Sequence, residues 1–297
     1  MPEICPTIRV ETLLLATDGS EFSEGAIVGS IKLARLCSNR FAAISVIETN
    51  PELETIAPQI TEKAEKSARE HLESIQKRAK KEGVECNIII RAGEDSYRYI
   101  VDEAAKNNIS MIIMGRRGRS GLKRLMMGSV TSRVIGLAPC NVLVVPEAAR
   151  VEFKSIVVAT DGSKYSLAAA SEAIGLAKQN KSELTAISVV PSELMTPTDI
   201  DLTVTNKELI SDKEMHEAEK NVRAVKEAAL KEAVAVKAFV MSGRSADAII
   251  EIARDKNADL IVLGSHGRTG LEKLLMGSVA ERVIVLSSCA VLVVKAK

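Results

Sequence analysis

The chain has 297 residues, 46% hydrophobic and 27% charged, with a net charge of +1. A near-neutral balance gives no overall field toward nucleic acid or an anionic membrane, and 2% aromatics with no Trp leave few platforms for stacking bases. Met1–Arg9 lacks an apolar signal core, and no run approaches the roughly 18 apolar residues of a span, so the expectation is a cytoplasmic globular protein with neither nucleic-acid nor membrane partners.

Leu13–Ala16 is an unbroken apolar run, the pattern of a strand covered on both faces. It ends in Asp18-Gly19-Ser20, a turn leading into a helical segment at 23–38, and a second strand follows near 40–47. Pro51 and Pro58 mark a loop before a long helix. Its apolar positions Ala64, Ala68, Leu72, Ile75 and Ala79 recur at helical spacing, with Glu62/Lys66 and Glu65/Arg69 as i,i+4 pairs on the solvated face. A third strand at 84–91 reaches Gly93, and a further helix precedes the apolar run Met111–Met114. Then come a glycine loop, a helix starting near Ser129, and a fifth strand, Val142–Val145.

The same order then repeats. Ala16–Ser20 recurs as Ala159–Ser163 and Ala43–Val46 as Ala186–Val189, both 143 residues on. Cys140–Val145 is echoed by Cys289–Val294 at an offset of 149, so the middle of the second half is longer by a few residues. Its helices are read at 166–180 and along Ala218, Val222, Val225, Ala229 and Ala233. Its second and third strands lie at 183–190 and 236–241, with Pro191 and Pro197 between them. So long a period excludes a solenoid and gives two copies of one domain, 1–146 and 147–297. Alternating strands and helices predict an α/β fold: in each half a parallel sheet with helices on both faces, because right-handed crossovers need that room.

Each fourth strand runs into a glycine motif. Gly115-Arg116-Arg117-Gly118 is followed after nine residues by Gly128-Ser129, and Gly264-Ser265-His266-Gly267 by Gly277-Ser278 at the same spacing. A glycine-rich turn between strand and helix brings backbone N–H groups against phosphate oxygens. Ser129 and Ser278 are placed to cap the following helix, and its N-terminus favours an anion. Asp18 and Asp161, beyond the first strands, would face these loops across the crevice where the winding reverses. A carboxylate there suits sugar hydroxyls or an amine, so the constellation describes a nucleotide. His71 and His216 sit among charges on the long helices and give no reason to be read as catalytic. Cys5, Cys37, Cys86, Cys140 and Cys289 form no C-x-x-C pattern; Cys140 and Cys289 are read as small core residues.

Gly-x-x-Gly-x9-Gly-Ser, an Asp after the first strand and an Ala-Pro-Cys-x-Val-Leu-Val-Val ending resemble the ATP-binding branch of the universal stress protein family, in both halves. The resemblance implies a doubly wound, Rossmann-like domain with strand order 3-2-1-4-5 in each half and ATP, with or without Mg²⁺, in each. In the first half it puts Ala16, Thr17, Asp18 and Val46 at the adenosine, and Met114, Gly115, Arg116, Arg117, Gly118, Gly128, Ser129, Val130 and Thr131 around ribose and phosphates. The second-half matches are Ala159, Thr160, Asp161, Val189, Leu263, Gly264, Ser265, His266, Gly267, Gly277, Ser278, Val279 and Ala280.

Three departures stand out. Arg116-Arg117 replaces the Ser-His that the second half keeps, and with Arg119, Lys123 and Arg124 it makes a basic loop. Ala280 replaces Thr131, removing a hydroxyl, and Asn141 and Ala290 depart from the final motif. The apolar fifth strands, expected at sheet edges, call for a partner, and the family pairs them across a dimer. An internal pseudo-dimer follows, with further association of whole chains left open. The seven-residue linker Pro146–Glu152 reaches at most about 25 Å. A P-loop lysine motif is absent, and His266 corresponds to Arg117, so the halves share no catalytic apparatus. The expectation is a nucleotide-binding stress-response regulator, the alternative being slow ATP hydrolysis, nucleotidyl transfer or autophosphorylation at Ser129 or Ser278.

Overall fold

The computed structural model describes residues 11–37, 40–50, 52, 56–118, 126–191, 212–268 and 276–296. Cys5, Pro51, Pro197 and the loop cations Arg119, Lys123 and Arg124 lie outside them. The first half runs β1 (Thr12–Ala16), α1 (Glu24–Cys37), β2 (Arg40–Glu48), α2 (Pro58–Lys81), β3 (Cys86–Gly93), α3 (Ser96–Lys106), β4 (Met111–Gly115), α4 (Ser129–Leu137) and β5 (Asn141–Val145). The second half runs β6 (Ser155–Ala159), α5 (Lys164–Asn180), β7 (Glu183–Pro191), α6 (Asp212–Lys231), β8 (Val236–Gly243), α7 (Ser245–Asp255), β9 (Leu260–Gly264), α8 (Ser278–Leu286) and β10 (Ala290–Val294). Among the described residues, no helix is long and apolar enough to cross a membrane.

Each half has the order 3-2-1-4-5, and the two join into one ten-stranded sheet, β3-β2-β1-β4-β5-β10-β9-β6-β7-β8. Pairing is parallel within each half and antiparallel at the seam, where Val144, Leu143 and Val142 face Val291, Leu292 and Val293. Two uncharged edges thereby cover one another, which removes the hazard an open apolar edge carries.

The unbroken apolar strands follow from burial on both faces. Leu13 and Leu15 point into a core beneath α1 and α2, and Leu14 and Ala16 into the opposite core beneath α3 and α4. Both cores cross the seam, one through Leu143 and Leu292, the other through Val142 and Val293. The connection between halves is itself packed. Val151 and Phe153 are buried, Gly29 lies against the Val151 side chain, and a Cβ on Gly25 would overlap the Pro146 carbonyl oxygen.

Local expectations need correction in both halves: β7 takes in Pro191 and β8 runs on through Gly243. The third strand of the first half begins at Cys86 and continues through Gly93, because its register with β2 runs from Phe41 to Glu48. Ala233 does not extend the apolar stripe of α6, which ends at Lys231; it is exposed, in a left-handed turn of φ 57°. Cys289 is buried and Cys140 half-buried. Desolvation pushes the Cys140 thiol up to about 11 and raises that of Cys289, so both are packing groups rather than thiolates.

Candidate functional site

The winding reverses between β1 and β4 in the first half and between β6 and β9 in the second, since each pair is adjacent and parallel. Beyond the carboxyl ends of these strands lie two clefts, of about 360 Å³ and about 330 Å³. This is where open α/β sheets hold ligands.

The turn after the first strand forms one wall. Gly19 and Gly162 adopt φ of 79° and 78°, a left-handed conformation that glycine enters without a Cβ penalty. The carboxylates preceding them organise the turn: Ser20 donates its N–H (3.0 Å) and hydroxyl (2.7 Å) to Asp18 Oδ1, joined by the Ser23 hydroxyl at 3.2 Å. In the second half the Ser163 N–H donates to Asp161 Oδ1 at 3.0 Å, and the Arg268 N–H to Asp161 Oδ2 at 2.9 Å. Burial, the largest influence on Asp161, raises its pKa, but hydrogen bonds from Ser163, Ser166 and the Arg268 amide outweigh it and leave the carboxyl below its ordinary 3.8. A lowered pKa means the ionised form stabilises the fold above the unfolded pKa, and that contribution disappears as pH falls through the folded value. The stability gap between the unmodified chain and Asp161→Asn should therefore be full at neutral pH and close on acidification below 3.8, as read by denaturant melts across that range. A gap independent of pH would refute this role.

The glycine loop forms the opposite wall, and space decides its residues. A Cβ on Gly115 would stand 2.8 Å from the Phe22 carbonyl oxygen, and one on Gly264 would stand 2.7 Å from the Tyr165 backbone. A Cβ on Gly118 would stand 2.6 Å from Asp18 Oδ2, and one on Gly267 2.8 Å from Asp161 Oδ2. The two walls thus touch through a glycine and a carboxylate in both halves.

The loop closes on the final helix. Gly128 N–H donates to the Arg116 carbonyl (3.0 Å) and Gly277 N–H to the Ser265 carbonyl (2.9 Å). These glycines are the N-caps of α4 and α8, with no side-chain capping bond. Ser129 and Ser278 are consequently not caps but the first helical residues, a correction that follows from the extended backbone of the preceding glycine. With no side chain capping it, the first turn, which lines each cleft, presents backbone donors suited to an anion. Thr131 also lines the first cleft: its buried hydroxyl donates to the Gly115 carbonyl at 3.1 Å, tying helix to loop, and Ala280 provides no such tie. Arg117 lies 4.7 Å over the Phe22 ring, and His266 packs 5.1 Å from the equivalent Tyr165 ring.

All sequence-expected residues line their cleft except Arg116 and Ser265. These occupy the same motif position, and neither lines its cleft. Ser265 is buried, with its N–H donating to the Val294 carbonyl at 3.1 Å. Arg116 donates through Nη1 to the carbonyls of Ile284 (3.3 Å), Val285 (2.7 Å) and Ser287 (2.9 Å), at the far end of α8 in the other half.

Sequence reasoning missed the cleft's remaining wall. In the first half it comprises Glu48 and Ser96, the Ser96 hydroxyl donating to Glu48 Oε1 at 3.1 Å, together with Ile100, Ala64 and Ala68. In the second half, Pro191, Ser245 and Ile249 take part. The signal was positional for Glu48, Ser96, Pro191 and Ser245, which end the second strand or open the helix after the third, on the same sheet edge, while Ala64 and Ala68 belong to the apolar stripe of α2. His71, outside the cleft lining, places its Nε2 3.1 Å from Thr17 Oγ1, and the stripe alignment puts Asn221 at its place, against Gly162.

A family model described as the universal stress protein family matches residues 9–146 and again 152–295. Universal stress protein MJ0531 of Methanocaldococcus jannaschii is 43% identical over 144 residues, spanning 48% of this chain and 82% of its own length. Universal stress protein YxiE of Bacillus subtilis is 33% identical over 147 residues, 48% of this chain and 99% of its own length. A universal stress protein structure from Archaeoglobus fulgidus shares the fold over 98% of this chain and 100% of its own, with a TM-score of 0.72 at 24% identity. Matched by the family model in both of its halves, the chain belongs to the universal stress protein family.

Proposed function

We propose that the chain is a stress-response regulator that binds an adenine nucleotide, ATP foremost, in each of two domains, 1–146 and 147–297. The observation that carries this reading is the uncapped helix N-terminus behind a glycine loop, repeated at the switch point of both halves. A cradle of that kind fits phosphate groups. The fit extends to the rest of the ligand: the clefts have the volume of a small-molecule site, and their deeper walls are apolar, through Ile44 and Val46 in one and Ile187 and Val189 in the other. The Gly118 and Gly128 segments would hold the phosphates of the first site and Gly267 and Gly277 those of the second, with Asp18 and Asp161 setting the loop. Mg²⁺ enters this reading as the ion that accompanies the nucleotide's phosphates.

Binding without turnover fits the differing loops, where His266 on a Tyr ring stands in place of Arg117 on a Phe ring. The test is calorimetric titration of nucleotide-free protein with ATP and Mg²⁺, followed by chromatography of the nucleotide after prolonged incubation. Saturable binding with ATP intact is expected; multiple-turnover release of ADP or AMP would replace the regulator with an enzyme, and absence of binding would reject the site.

A further inference from the structure

Arg116 sits within the first glycine loop yet does not line the first cleft. Its guanidinium reaches Ile284, Val285 and Ser287, carbonyls at the C-terminal end of α8, where the last turn has no intrahelical partners and carries negative partial charge. The other end of α8, Gly277 and Ser278, borders the second cleft. One nine-residue helix therefore runs from the second cleft to the loop of the first.

The reverse connection is also present. Lys295, in the second half, donates through Nζ to the Gly136 carbonyl at 2.9 Å, in the last turn of α4, whose first turn borders the first cleft. The Lys295 N–H donates to Asn141 Oδ1 at 3.1 Å, which gives that departure from the family ending a structural role. The residue before it, Val294, accepts the N–H of Ser265 in the second glycine loop. Burial lowers the pKa of both cations, consistent with side chains withdrawn from water.

We propose that Arg116 and Lys295 are reciprocal positioning residues, each seated on the C-terminal end of the helix whose N-terminus serves the other half's cleft, so that the two nucleotide sites are energetically linked. Removing either cation leaves helix-end carbonyls without a partner inside the contact between halves. The helix then loosens at both ends, and the site at its N-terminus loses definition. By linkage the coupling is mutual: an anion on the first turn of α8 favours the docked helix and hence the seat of Arg116, which orders the loop of the first site.

This inference rests on the nucleotide reading, and the experiment separates the two. ATP affinity is measured by calorimetry on the whole chain with one site disabled at a time, by Gly118→Ala or by Gly267→Ala. With the first site disabled, Arg116→Ala should weaken ATP at the second site at least about five-fold, although Arg116 does not line that cleft. With the second site disabled, Lys295→Ala should do the same at the first. Arg116→Lys, which keeps a cationic donor for the same carbonyls, should recover part of the loss, a rescue that a general loss of fold would not allow. Cross-half affinities unchanged within two-fold in otherwise ATP-binding protein would overturn the linkage alone. An unmodified chain that binds no ATP would overturn the nucleotide reading and the linkage with it.

Discussion

Gly118→Ala should weaken nucleotide binding in the first half, and Gly267→Ala in the second, by roughly ten- to hundred-fold, each leaving the other half's site in place. The added methyl would stand 2.6 Å from Asp18 Oδ2 or 2.8 Å from Asp161 Oδ2. Carboxylate and loop must then part, and Asp18 is the group that organises the turn with Ser20 and Ser23. Overpacking of this kind costs on the order of 1–3 kcal/mol, roughly ten- to hundred-fold in affinity at about 1.4 kcal/mol per decade. Gly128→Ala is the companion that separates binding from folding. There the methyl meets Thr131 Oγ1 at 3.5 Å and the Arg116 carbonyl at 3.6 Å, ordinary contacts that the empty fold tolerates, so melting should change little while the phosphate cradle fills. Titration beside a thermal melt reads both; unchanged affinity in Gly118→Ala and Gly128→Ala alike would put the ligand elsewhere.

The second large effect concerns the seam. Leu143 and Leu292 face one another across β5 and β10, each 1% exposed, and each belongs to the core that spans both halves. Truncating either to Ala should cost about 2–5 kcal/mol, transfer plus cavity. Because the pair shares one cavity, the double variant should depart from the sum of the singles by an interaction energy on the order of 0.5–3 kcal/mol. Leu292→Asp should go further and part the halves, exposing two apolar strand edges and promoting association between chains. Denaturant melts monitored in both halves give the readout. A seam that matters shows one shared transition in the unmodified chain and two in Leu292→Asp; two transitions already in the unmodified chain would mean the halves stand independently.

The architecture was legible because it is written in local patterns. Leu13–Ala16 and Ile156–Ala159 can be apolar throughout only if both faces are covered, and the repeated order of elements leaves few topologies. The lack of charge in Val142–Val145 and Val291–Val294 called for a partner on each edge, and the family resemblance made that partner the other half's edge. The glycines of the loop were also legible, since Gly115 and Gly118 stand where backbone and carboxylate leave no room for a Cβ. What escaped were contacts between segments distant in sequence. Nothing local distinguishes Arg116 from Arg117, yet one binds a helix end in the other half while its neighbour lies over Phe22. The partners lie 168 residues apart and beyond, and only the antiparallel seam brings them together. The tie from Thr131 escaped for a related reason: a hydroxyl in the first turn suits a phosphate or a carbonyl equally, and only the proximity of Gly115 gives it the carbonyl seen here. Glu48, Ser96 and His71 carry no motif at all; Glu48 and Ser96 join the cleft because strand end and helix start converge on one edge of the sheet, and His71 reaches Thr17 from α2.

The central claim is one adenine nucleotide in each half. Native mass spectrometry of the intact chain with ATP tests it most directly, because it counts ligands per molecule. The prediction is two nucleotides on the unmodified chain, one on Gly118→Ala, one on Gly267→Ala and none on the double variant. An unmodified chain that retains no nucleotide, or a double variant that still retains two, would contradict it.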